Sequence, residues 1–170
     1  MASIIRNSII VIIIICTIII LPTNSIGKSK KTIDSVTKII YYYYDSSVPP
    51  KYHRSYTITI MGNKARIIVD SYGDILNDKE FDIDSSKFVM IKKSLLINKI
   101  KKGKKIESKG CTGGTSEKIE YFDRDKSLFS ASVYHCGNKD YGDLRGDINN
   151  VAQDIKNLIP NFSELLKRDD

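Results

Sequence analysis

The chain has 170 residues, with 27 Lys and Arg against 20 Asp and Glu, three Cys, no Trp and a formal charge of +7. That length holds one ordinary domain, and 41% hydrophobic residues are enough for a packed core. These figures exclude a multidomain enzyme, a coiled coil, a polytopic membrane protein and a collagen-like chain.

At the N-terminus, Ile9–Leu21 is an apolar run broken only by Thr17. Arg6 precedes it, and Pro22-Thr23-Asn24-Ser25-Ile26-Gly27 comes after it. A positive lead, an apolar stretch of about 7–15 residues and small residues at its exit are the parts of a secretory signal peptide. Residues 1–25 are read as that signal, with cleavage after Ser25 or Gly27, and the protein is expected in the periplasm, on the cell surface or outside the cell. The competing reading is an uncleaved anchor. Spanning hydrocarbon takes about 20 apolar residues, more than this run supplies. The lysines at 28, 30 and 31 speak for the anchor, because positive charge there opposes export. Membrane contact is expected only through this segment, if it is retained.

Cys16 leaves with the signal, so Cys111 and Cys136 remain. Two cysteines in an exported chain read as one disulfide. A zinc site would need more ligands than His53 and His135 supply, so neither metal nor cofactor is expected.

Residues 26–50 read as a linker or lead strand. The four tyrosines Tyr41–Tyr44 suit a strand with rings on both faces, and Pro49-Pro50 keeps the chain extended behind them. Residues 51–170 read as one domain. Tyr56–Ile60 alternates in period two, and so do the stretches 65–72 and, more weakly, 75–83. Turns at Gly62-Asn63 and Gly73-Asp74 make these an antiparallel meander. The period then becomes helical. Phe88, Ile91, Leu95 and Leu96 share a stripe behind the capping candidates Asp84, Ser85 and Ser86, giving a helix over 86–99. Lys101-Lys102-Gly103-Lys104-Lys105 reads as a basic turn. Residues 117–123 and 127–135 read as a hairpin. Ile148, Val151, Ala152, Ile155, Leu158 and Ile159 mark a final helix capped by Asp147 and stopped by Pro160. Asn161 with Glu164 resembles a capping box for a last turn. The expected fold is therefore α+β: an antiparallel sheet of about five strands with two amphipathic helices, in the order β-β-β-α-β-β-α, and one disulfide.

Few motifs carry chemistry. Gly110-Cys111-Thr112-Gly113-Gly114-Thr115-Ser116 offers small residues and free amides that cradle anions in other settings. It lacks the Gly-Lys-Ser/Thr ending of a nucleotide loop, and a tight loop around a disulfide explains it better. Asp123-x-Asp125-x-Ser127 lacks the sixth-position Gly and twelfth-position Glu of a calcium loop. Lys92–Lys109 carries eight lysines against the single acid Glu107 and predicts a positive patch. It has neither arginine nor interleaved aromatics, so specific nucleic-acid binding is not expected.

The stretches 49–56 (Pro-Pro-Lys-Tyr-His-Arg-Ser-Tyr), 69–74 (Val-Asp-Ser-Tyr-Gly-Asp), 110–115 (Gly-Cys-Thr-Gly-Gly-Thr) and 134–137 (Tyr-His-Cys-Gly) together resemble small exported bacterial proteins. Such proteins also carry a signal peptide and a final amphipathic helix. The resemblance spans about residues 49–166. It implies export and a paired-cysteine domain, and it implies no activity.

The leading expectation is an exported binding module for an anionic surface or a protein partner. Its contact residues are expected among Lys101, Lys102, Lys104, Lys105, Thr112, Gly113, Gly114, Thr115 and His135. Two other readings stand beside it. One is a hydrolase-type enzyme in which His135 works with Thr112, Thr115 or Ser116. The other is a purely structural envelope protein.

Overall fold

The structure is a computed structural model that describes residues 32–167, and from Thr32 onward the chain forms one compact unit. The signal-peptide reading, with Cys16, lies outside the described residues.

Period-two alternation builds most of the molecule. The strands are β1 (Lys38–Tyr44), β2 (Ser55–Met61), β3 (Lys64–Ser71), β4 (Asp74–Asp82), β5 (Lys101–Ile106), β6 (Thr115–Asp123), β7 (Lys126–Cys136) and β8 (Lys139–Arg145). They form one antiparallel sheet in the order β4-β3-β2-β1-β6-β7-β8-β5. Ile39 and Tyr41 face inward on β1, Ile58 and Ile60 on β2, Ile67 and Val69 on β3, and Ile119 and Tyr121 on β6. Their neighbours along each strand face the opposite side, as the pleat requires.

Two helices follow from capping and stripe. In α1 (Ser85–Ile97), the Asp84 carboxylate accepts the Ser86 N–H, and Phe88, Ile91, Ser94 and Leu95 are buried. In α2 (Ile148–Lys156), Asp147 accepts the Asn150 N–H, and Ile148, Val151, Ala152 and Ile155 are buried. Their apolar stripes join the inner-face strand residues in one core. Ser94 on α1 donates to Asp154 on α2 at 2.5 Å, which ties the two helices. The short α3 (Phe162–Leu165) sets Phe162 edge-on to Tyr56 at 5.1 Å. The expected capping box is not formed there. Asn161 has φ 52° and makes no side-chain cap bond.

The expected α+β fold with about five strands is corrected to a mostly β fold with eight. Three strands were not anticipated as part of the sheet. β1 lies in the segment 26–50, read as a linker or lead strand outside the five-stranded sheet, and it is a central strand paired with both β2 and β6. The basic turn 101–105 is instead β5, an edge strand. An edge strand of this kind carries charge where a central strand carries apolar alternation, so no period was visible. Residues 139–145, between the expected hairpin and the final helix, form β8. Gly142 interrupts its pattern: its φ is +95°, and a Cβ there would lie 2.4 Å from the Ser132 carbonyl oxygen.

Candidate functional site

Cys111 and Cys136 are joined by a disulfide across 25 positions, with their Cα atoms 6.2 Å apart. It anchors the Gly-rich loop to the end of β7. The Gly114 N–H donates to the Tyr134 hydroxyl at 3.1 Å, and that hydroxyl in turn donates to the Cys111 carbonyl at 3.3 Å. A Cβ at Gly114 would lie 2.0 Å from the His135 carbonyl oxygen. The loop thus closes on Tyr134, and the Gly114 amide is used within the fold. Thr112 and Gly113 stay exposed at its tip.

On the inner face, beside Asn149 and Lys156 of α2, the core turns polar. Glu117 on β6 is buried. It shares a face with Ile119 and Tyr121, so the pleat directs its carboxylate inward. The Tyr41 hydroxyl donates to one of its oxygens. His135 on β7 places Nε2 3.0 Å from the other oxygen and Nδ1 2.7 Å from the Asp140 carboxylate on β8. Burial pulls the imidazole pKa down. The hydrogen bonds and charges of Asp140 and Glu117 push it up by more, so it ends above its ordinary value. Two carboxylates facing the two ring nitrogens favour the imidazolium form, which can donate to both. Burial and the Glu117 carboxylate hold the Tyr41 hydroxyl far above its usual range. Glu117, His135 and Asp140 border a polar cleft of about 390 Å³, reached also by Tyr43, Thr115, Asn149 and Lys156. Both ring nitrogens of His135 are committed to carboxylates, so in this arrangement neither takes a proton from a neighbouring hydroxyl. Among the described residues, no group of three or more His, Cys, Asp or Glu is spaced to hold a metal ion.

The other face of the sheet carries different chemistry. Tyr44, Ser116, Tyr134 and Tyr141 lie side by side across β1, β6, β7 and β8. Beside that row run Tyr42, Lys118 and Ser132. The Tyr42 and Tyr44 rings are parallel within 3°, with centres 6.1 Å apart, and the Lys118 ammonium sits 5.2 Å from the centre of the Tyr42 ring. Burial and a hydrogen bond to Glu120 push the Tyr42 hydroxyl up to about 12. Residues 105–108, from the end of β5, bound this row and complete a groove of about 420 Å³.

The sequence-predicted residues are thus divided. Thr115 and His135 meet at the inner polar cleft. Lys105 reaches the outer groove. Lys101, Lys102 and Lys104 stand on the exposed edge strand, with Lys102 paired to Asp143 at 3.2 Å. Thr112, Gly113 and Gly114 belong to the stapled loop and line neither cavity. Sequence reasoning missed Glu117, Asp140, Tyr41 and Lys156 on the inner side, and Lys118, Tyr134 and Tyr141 on the outer. Glu117 was legible in principle, because period two puts it in phase with Ile119 and Tyr121. Compared with known proteins, the chain matches no family model and no curated sequence.

Proposed function

We propose that the protein is an exported binding module whose ligand surface is the outer groove, and that its ligand is an anionic glycan chain. The observation that carries this reading is the pairing of Tyr44, Tyr134 and Tyr141 with Lys105 and Lys118 around one groove. Aromatic rings present flat apolar surface with a polar tip, and Lys105 and Lys118, each also paired to a carboxylate (Glu107 at 3.0 Å and Glu120 at 2.9 Å), supply ammonium donors. The serines at 116 and 132 add hydroxyl donors and acceptors between the rings. The N-terminal apolar run and the Cys111–Cys136 disulfide support export.

The test is retention on immobilised heparin across a salt gradient. The full chain is expected to elute late. Lys118→Glu is expected to elute clearly earlier, and Tyr141→Ser to weaken binding with no change in charge. Vesicles of anionic lipid form a second arm. Binding to vesicles but not to heparin would replace the glycan with a headgroup surface. Binding to neither would sink the anionic reading.

A further inference from the structure

We propose that copies of this chain associate head to tail through their two sheet edges, β5 of one copy pairing with β4 of the next. The reading is independent of the outer groove. It rests on strand direction and on charge.

Among the described residues, β4 hydrogen-bonds as a strand only to β3 and β5 only to β8, so each presents backbone donors and acceptors with no strand beside it; on β5 the register shifts between Lys102 and Ile106, and the Lys104 carbonyl already accepts from the Arg145 guanidinium at 2.5 Å. Such edges template the addition of further strands, and proteins commonly blunt them with charge of one sign. Here the signs differ. β4 (DILNDKEFD) holds four acids and one lysine, whereas β5 (KKGKKI) holds four lysines and no acid. On β4, Glu80 and Asp82 share the single ammonium of Lys64, and Asp78 pairs with Arg66. On β5, Lys102 and Lys105 are partly neutralised by Asp143 and Glu107. No ion pair to a described residue engages Lys101 or Lys104 on β5, nor Asp74 or the opposing cation Lys79 on β4. The residual charge is therefore acidic on one edge and basic on the other. Like edges repel one another, and unlike edges attract.

Topology adds a second condition, and this chain meets it. All neighbouring strands are antiparallel. With eight strands in strict alternation, the two edge strands run in opposite directions. A second copy set alongside in the same orientation then continues the antiparallel alternation and keeps its helices on the same side. An odd number of strands would force a parallel junction. The contact is heterologous, since it joins two different surfaces, and a heterologous contact that does not close into a ring propagates. Adjacent strands rotate by roughly 20–25°, so each added copy turns relative to the last and the expected product is a twisted chain of subunits.

The experiment is sedimentation velocity on the full chain over a range of concentration, at low and at high salt. The wild type is expected to associate with rising concentration, and salt is expected to weaken that association. Two variants reverse one edge each, at exposed positions. Lys101→Glu with Lys104→Glu makes both edges acidic, and Asp74→Lys with Asp82→Lys makes both basic. Each alone is expected to lose at least tenfold in association constant. Mixed together, the two are expected to form a heteromeric complex. The chain carrying all four changes is expected to regain self-association. Circular dichroism of each variant confirms that the fold is kept. Association indifferent to either reversal would overturn the proposal and would point to the N-terminal apolar run instead. A monomeric wild type, or reversed-edge variants that do not pair on mixing, would overturn it as well.

Discussion

Glu117 is the position where the inner core departs from an apolar one, and its neighbours show how the departure is tolerated. A buried carboxylate is unfavourable unless it is hydrogen-bonded and paired. Tyr41 and His135 occupy its two oxygens, and Asp140 holds the far nitrogen of the same imidazole. Because the folded pKa of His135 is raised, its contribution is complete below the unfolded value of about 6.5 and is lost as pH rises through the raised folded value. Thermal stability is therefore expected to fall as pH is taken upward from about 6.5, and His135→Gln is expected to flatten that part of the profile. A wild-type profile that is flat or rising across that window would remove the imidazolium from the account. Gly142 makes a second residue-scale prediction. Its positive φ and the 2.4 Å approach to the Ser132 carbonyl leave no room for a side chain. Gly142→Ala is expected to lower unfolding free energy by at least about 2 kcal/mol, read from the midpoint of urea unfolding. Loss of a few tenths would mean that the β7–β8 junction yields easily.

At the scale of elements, the legible parts were those whose pattern is written in their own residues. The stretches that became β2 and β3 alternate cleanly, and the stripe and cap of α1 and α2 stand in the sequence close to their observed positions. β5 was not legible, because an edge strand buries little and its lysines carry no period. β8 was not legible, because Gly142 and Asp143 break the alternation that Tyr141 and Leu144 would otherwise mark. The disulfide was read from cysteine count and is present. Closing a loop of 25 positions restricts the unfolded chain by about 3.5 kcal/mol in the chain-entropy model. Cys111→Ser with Cys136→Ser is expected to shift the denaturation midpoint by that order. The loop 110–114 is expected to become susceptible to protease first, since Tyr134 alone would then hold it. A double variant as stable as the wild type would show that the Tyr134 bonds suffice.

At the scale of the whole molecule, eight strands in strict antiparallel alternation give a sheet with two chemically unlike faces and two oppositely charged edges. The inner face is covered by α1 and α2 and ends in the Glu117 cluster. The outer face carries the row of Tyr44, Tyr134 and Tyr141, with Lys118 beside it and Lys105 at the β5 side. Neither cavity belongs to a contiguous stretch of chain: Tyr44 and Tyr141 of the outer groove are 97 positions apart, yet they share one cross-strand row. The sequence by itself determined where apolar and polar residues alternate, where two helices are capped, that two cysteines would pair, and that positive charge gathers over Lys92–Lys109. These are local properties, set by spacing along the chain. Strand order, the central place of β1, the meeting of Glu117 with His135 and the opposition of the charged edges were decided only in the tertiary structure. They depend on which strands pair across long separations, and that choice is made by burying the apolar inner faces of the strands together.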